Sequence, residues 1–128
     1  MYEVKIKETS FEKMTAREKL KYTDVSTAEK LEQYVGLDGR VLEIEPAGYV
    51  ELDVHNDASK DSKDYNVFLI VDEEGRAFST SSPSLIESFK HIFWTMKEDA
   101  PDEPYTIMAC MKPSKNRADK GYMTCYIV

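Results

Sequence analysis

One helical pattern set among strand patterns limits what this chain can fold into. Ser82 is a good N-cap, and Pro83 fits the first helical position, where its missing N–H costs nothing. Leu85, Ile86, Phe89, Ile92, Phe93 and Met96 then recur at i, i+1, i+4, i+7, i+8 and i+11 as one apolar stripe, with Lys90 and Lys97 outside it. Asp99-Ala100-Pro101-Asp102 stops the helix. What flanks it from Gly39 onward alternates with the period of strands.

Ahead of the helix, Arg40–Glu45 sets Val41, Glu43 and Glu45 against Leu42 and Ile44. Pro46-Ala47-Gly48 interrupts, and Tyr49–Val54 alternates again through Val50, Leu52 and Val54. Such a run reads as a long strand with a bulge or bend, or as a hairpin. Residues 55–64 are a polar loop. Tyr65–Val71 is aromatic and β-branched, Asp72–Gly75 is a turn, and Arg76–Thr80 returns. A regular turn sets Leu69 opposite Phe78 and Val67 opposite Thr80. Tyr65, Val67, Leu69, Val71 and Phe78 then share the core side. Asn66, Phe68, Ile70, Ala77 and Ser79 share the other. After the helix come Tyr105–Lys112 and Gly121–Val128, with residues 113–120 between them.

At the N-terminus, Tyr2–Lys7 alternates like a short strand. The charged stretch after it suits a helical turn or an ordered arm. Asp24 or Ser26 caps a short helix over Thr27–Val35, ended by Gly36. No internal repeat is visible.

The order strand, strand, strand, helix, strand, strand argues for a barrel or sandwich rather than a parallel α/β sheet. The fold class expected is mainly β with helices: an OB-fold, a five-stranded β-barrel with its helix between strands 3 and 4. The expectation is one domain over residues 1–128, with residues 1–36 an N-terminal extension containing the short helix and residues 37–128 the barrel.

The chain's 128 residues suffice for a real core without staples. The first residues alternate charged and apolar types, and nowhere do eighteen apolar residues run together, so a cytoplasmic location and no membrane partner are expected. Cys110 and Cys125 fall in two adjacent strands and read as free, buried thiols. With two cysteines, no Cys-x-x-Cys pair and only His55 and His91, a zinc site is not expected. No Gly-rich phosphate loop or nucleophile elbow is present, so neither an enzyme nor a cofactor is expected. The carboxylates of Asp72, Glu73 and Glu74 read as solvated turn residues rather than Mg²⁺ ligands.

A net charge of −7 does not by itself suggest a nucleic-acid partner, yet its distribution is uneven. Residues 1–36 hold seven Lys/Arg and seven Asp/Glu; residues 37–104 hold six and sixteen; residues 105–128 hold four and one. Local patches govern attraction, because exposed charges more than about 10 Å apart are largely screened.

The stretch from Val67 to Val128 resembles the small OB-fold single-stranded-DNA-binding proteins of Gram-positive phages and conjugative plasmids. The likeness is carried by the Asp-x-x-Gly hairpin of Asp72–Gly75, the Ser/Thr-rich strand end after it, the capped helix, and the Ser-Lys-containing loop between the last two strands. It covers roughly the C-terminal half, and residues 1–36 have no counterpart in it. The resemblance implies sequence-independent binding that protects or organises single-stranded DNA in phage or plasmid replication or transfer, in the cytoplasm of a bacterial host.

Single-strand binders join a positive groove to aromatic faces on which bases stack. Lys112, Lys115, Arg117 and Lys120 cluster at the last hairpin, opposed only by Asp119. Lys60 and Lys63 lie in the polar loop, diluted by Asp57, Asp61 and Asp64. Arg76 is a candidate phosphate contact. Phe68 is the sharpest aromatic candidate, with packing against the N-terminal extension as its equal alternative. Tyr122 and Tyr126 share one face of the last strand with Thr124, while Met123, Cys125 and Ile127 share the other. Those tyrosines suit base stacking or a subunit contact in a homo-oligomer. Tyr49 and Tyr105 are weaker candidates, and Trp94, off the helix stripe, suits a half-buried site. A protein-interaction module using the acidic barrel surface, by partner docking or DNA mimicry, is the alternative function, and RNA an alternative ligand.

Overall fold

Residues of fixed backbone habit decide where the strands of this chain are cut and how they pair. A computed structural model of the chain describes residues 2–56, 64–116 and 120–128. In chain order the elements are β1 (Tyr2–Thr9), α1 (Ala16–Thr23), β2 (Glu29–Lys30), a 3₁₀ turn (Leu31–Gln33), β3 (Leu42–Ile44), β4 (Pro46–Asn56), β5 (Asp64–Asp72), β6 (Ala77–Thr80), α2 (Pro83–Asp99), β7 (Ile107–Pro113) and β8 (Gly121–Ile127). The protein is thus mainly β with two α-helices. Among the described residues the strands form two sheets, one of five and one of three, and no closed barrel. No described helix is long and apolar enough to cross a membrane. The chain divides into two units, Met1–Glu29 with Ala47–Ser81, and Lys30–Pro46 with Ser82–Val128. The expected extension, residues 1–36, is shared between them.

The first unit holds the five-stranded sheet, in the order β1-β4-β5-β6-β2. β1 runs antiparallel to β4, with Val4 opposite Val54 and Ile6 opposite Leu52. Val50, Leu52, Val54, Leu69 and Val71 form one buried face, and Tyr22 of α1 packs on it with Phe11, Met14, Val25 and Ala28. The N-terminal segment is therefore a structural cover, with each fully buried apolar side chain contributing about 1.5–3 kcal/mol. Thr15 starts α1 with a capping box: its Oγ1 accepts from the Glu18 N–H at 3.1 Å, and Glu18 Oε1 accepts from the Thr15 N–H at 3.1 Å. Gly48 has no room for a Cβ, which would lie 2.7 Å from Phe11 Cζ and 2.5 Å from Ser10 Oγ.

The β5–β6 hairpin differs from expectation by one residue. Ile70, not Leu69, lies opposite Phe78, and Phe68 lies opposite Thr80. Asp72 N–H donates to Arg76 O at 2.9 Å, and Gly75 between them takes a φ of +88°. That left-handed glycine adds a residue to the loop, and a slip of one residue moves every partner to the other face. Phe78 consequently joins Phe68 and Ile70, and all three are buried. Leu69 and Val71 are buried on the opposite face. Both sides of β5 are covered, as its unbroken Phe-Leu-Ile-Val run permits.

The short helix expected over Thr27–Val35 is replaced by β2 and the 3₁₀ turn. Asp24 ends α1 rather than starting a new helix: its carbonyl accepts from Thr27 N–H at 3.1 Å and its carboxylate from Ser26 N–H at 3.2 Å. A nine-residue helix is marginal alone, and sheet pairing takes Glu29 and Lys30 instead.

In the second unit the three-stranded sheet has the order β3-β7-β8, antiparallel throughout. The break between β3 and β4, where the chain leaves one sheet for the other, falls at Glu45, and the Pro46-Ala47-Gly48 stretch expected to interrupt opens β4 instead. α2 starts at the expected Ser82 cap, whose Oγ accepts from Leu85 N–H at 3.4 Å, and buries Leu85, Phe89 and Phe93. Asp38, exposed in the turn that Gly39 makes at φ +97°, accepts from the Arg40 backbone and guanidinium, which hold its carboxyl below the usual range. Both cysteines are free and buried. Cys110 lies opposite Thr124 and Cys125 opposite Ala109, so their side chains leave opposite faces of the sheet.

Candidate nucleic-acid interface

The β7–β8 hairpin gathers more of the expected binding residues than any other described element. One face carries Ala109 opposite Cys125 and Met111 opposite Met123, mostly buried; the other, outward face buries Cys110 opposite Thr124 at its middle and is exposed toward its ends. On the outward face Lys112 lies directly opposite Tyr122, which sets their Cβ atoms about 5 Å apart. Gly121 makes the close approach possible: a Cβ there would lie 2.8 Å from Met111 Cγ, 2.9 Å from Leu37 Cδ2 and 3.0 Å from Lys112 O. Beyond it, Ser114 N–H donates to Lys120 O at 2.8 Å and holds the two strand ends together.

Lys112, Lys115 and Lys120 are all exposed at this end, and no described acidic side chain pairs with them. Tyr122 is 44% exposed beside them. Three ammonium groups and an open ring so placed can hold phosphates and stack a base.

The far end of the same face has different chemistry. Tyr126 is 47% exposed, but it lies opposite Met108, and Met108 lies opposite Glu43 of β3. Between the tyrosines, Thr124 shares a 3.0 Å hydrogen bond with Ser88 of α2, and Ser84 Oγ donates to Met123 O at 2.6 Å. Four residues of strand separate the two rings by about 13 Å. The cationic end and the acidic end of this face are distinct, and only Tyr122 belongs to the first.

Two expected contacts are overturned by position. Phe68 is 1% exposed and stacks on Tyr49, centroids 5.0 Å apart and planes at 19°. Its ring is core, on the face away from the N-terminal cover, and no base can reach it. Tyr49 is equally buried, with its hydroxyl donating to Glu8. Arg76 is not a free phosphate contact either: its Nε and Nη2 each donate to the Glu29 carboxylate at 3.0 Å, and its guanidinium covers the Phe78 ring at 4.9 Å. A bidentate pair is geometrically strong and cancels the charge locally. Lys60, Lys63 and Arg117 lie outside the described residues.

Trp94 is an aromatic that the sequence marked only as off-stripe. It is 37% exposed on α2, edge-on to Phe93, with Lys97 Nζ 5.1 Å from its centroid. The i, i+3 spacing of Trp94 and Lys97 was the signal for that contact. Ser84 and Ser88, which fasten α2 to β8, carried no such signal, because nothing local says what a helix serine faces.

No protein-family model, no curated protein and no solved structure matches the chain.

Proposed function

We propose that this protein binds single-stranded DNA without sequence preference, on a barrel of OB type, through the cationic end of the β7–β8 hairpin. The observation that carries the reading is the Lys112–Tyr122 cross-strand pair, flanked by exposed Lys115 and Lys120 with no described acidic partner. A phosphate backbone follows the three ammonium groups, and a base lies on the Tyr122 ring. Nothing in that arrangement reads base edges, so the expected binding is indifferent to sequence.

The strand connections support the fold part of the reading. The strand pair β3 and β4, cut only at Glu45, is bonded to β7 through β3 and to β5 through β4. That pairing, with a single helix α2 between the β5–β6 and β7–β8 hairpins, is in keeping with the connection order of an OB-fold. The resemblance of residues 67–128 to phage and plasmid single-strand binders points the same way, and a role in replication or transfer of DNA is what that resemblance implies.

The test is a titration of the full chain with fluorescein-labelled oligo(dT) and with an equal length of duplex, at two salt concentrations. The single strand is expected to bind and the duplex to bind weakly. Replacing Lys112, Lys115 and Lys120 together by Glu is expected to abolish binding with the circular dichroism spectrum unchanged. A flat oligo(dT) titration at low salt overturns the proposal. Binding that survives the triple replacement moves the site elsewhere. Competition between oligo(dT) and oligo(U) decides between DNA and RNA.

A further inference from the structure

A second surface, far in chemistry from the hairpin, lies along the edge of the five-stranded sheet. Among the described residues β1 is the terminal strand and pairs with β4 alone, so its other edge has no described strand neighbour. Val4 and Ile6 turn toward the face covered by the N-terminal segment, and Lys5 turns to the opposite face. A groove of about 810 Å³ is lined by all three, which means that it follows the strand's free edge.

The floor of the groove is apolar. Val4, Ile6, Phe11 and Met14 are only partly buried there and leave hydrocarbon open. Phe11 is held in place from both sides, by the missing Cβ of Gly48 and by a stack on Tyr22 with centroids 6.3 Å apart and planes at 5°. The rim is basic: Lys5, Lys13 and Lys19 line it, against Glu12 as the one acidic lining residue. Lys13 and Lys19 are exposed and have no ion pair among the described residues. Lys5 pairs with Glu3 at 3.7 Å, both largely exposed, which is a weak interaction.

We propose that this edge binds an extended acidic segment of a partner protein, added to β1 as a further strand. The strand's unpaired backbone groups supply hydrogen bonds along one side of the guest. The guest's alternate apolar side chains settle on Val4, Ile6 and Met14, its intervening carboxylates turn to the face of Lys5, and Lys13 and Lys19 on the rim add attraction through space. Charge complementarity selects this occupant. β1 itself carries Glu3 and Glu8 beside Lys5 and Lys7, so a second copy would bring no net negative charge to these lysines, and lysines on an edge, together with the irregularity between Ile6 and Glu8, are how sheets discourage self-pairing. A nucleic acid would find no free ring, because the floor is aliphatic apart from Phe11, whose face Tyr22 already occupies.

The test uses a fluorescein-labelled octapeptide of alternating Asp and Val, with three comparisons: alternating Lys and Val, the acidic peptide with proline at alternate Val positions, and oligo(dT). Anisotropy with the full chain is expected to show saturable binding of the acidic peptide alone. The proline peptide is expected to bind roughly tenfold more weakly or worse, since it cannot complete the ladder. Replacing Lys13 and Lys19 by Glu is expected to weaken peptide binding roughly tenfold or more, while the Lys112, Lys115 and Lys120 replacements leave it unchanged. Circular dichroism of each variant shows that the fold is kept, and Lys13→Gln with Lys19→Gln gives a second, milder test of the same charges. No binding of the acidic peptide overturns the proposal, as does equal binding of the proline peptide. Displacement of the peptide by oligo(dT) assigns the groove to nucleic acid instead. Self-association lost in the Lys13 and Lys19 variants assigns it to a second copy.

Discussion

Cys125 shows how far burial moves a single group. Its thiol, 6% exposed, is pushed up to about 12 by burial first and by the neighbouring Cys110 second. In the unfolded chain a thiol with an ordinary value of 9.0 ionises earlier, so stability from this group is intact below pH 9 and declines as pH rises from there toward 12. Tyr22, raised by burial and by Glu18 and Asp72, acts in the same direction. A Cys125→Ala variant is therefore expected to lose less melting temperature between pH 9 and 11 than the parent does, and equal slopes would show that the thiol carries no such linkage. Two aromatic positions separate just as clearly. Tyr122→Ala is expected to weaken oligo(dT) binding by about 1–3 kcal/mol without loss of stability. Phe68→Ala is expected to cost about 3–5 kcal/mol of stability, and Phe68→Leu, which keeps the fold, to leave binding intact. The pair of measurements, chemical unfolding and titration, checks which ring is core and which is contact.

At the scale of elements, α1 is the instructive case. Its sequence is strongly polar, and one apolar residue, Leu20, is 71% exposed, so a packed helix was not obvious. The helix holds because the Thr15 capping box fixes its start, Tyr22 packs on the sheet, and Lys21 Nζ donates to Gly75 O at 2.6 Å. Thr15→Ala is expected to cost about 1 kcal/mol, visible as a lower denaturant midpoint with the m-value unchanged. A smaller m-value would instead mean that the whole cover had come away from the sheet. The β7–β8 hairpin, by contrast, was readable in its strands and in the alternation of Tyr122, Thr124 and Tyr126 against Met123, Cys125 and Ile127. What alternation did not reveal was that Thr124 is tied to α2 and that Glu43 lies in the row of Tyr126, so the two tyrosines are not one platform.

For the whole molecule, net charge is a poor guide and placement a good one. The chain carries −7, yet the described lysines of its last hairpin have no acidic partner among the described residues, while Arg76, which the sequence made a candidate, is neutralised by Glu29. Binding through three phosphates gives a log–log salt slope of about −2. Replacing Lys112, Lys115 and Lys120 by Ala is expected to remove about that much from the slope of the intact chain. An unchanged slope would mean that other cations hold the backbone.

The sequence alone determined the strand-and-helix order from Leu42 onward, the Ser82 cap, the break near Pro46, the free thiols, and the cationic end of the last hairpin. These are local properties: periodicity, capping chemistry and backbone restriction act within a few residues, and each leaves its own mark in the chain. Only the tertiary structure decided that β5 is covered on both faces, that Phe68 stacks on Tyr49, that Glu29 captures Arg76, and that residues 2–29 complete and cover a sheet rather than trail from it. The last three depend on partners 19 to 54 positions away. Neither residue of such a pair carries a trace of the other; the one-residue shift at Gly75 shows how a single left-handed backbone angle reassigns a whole face.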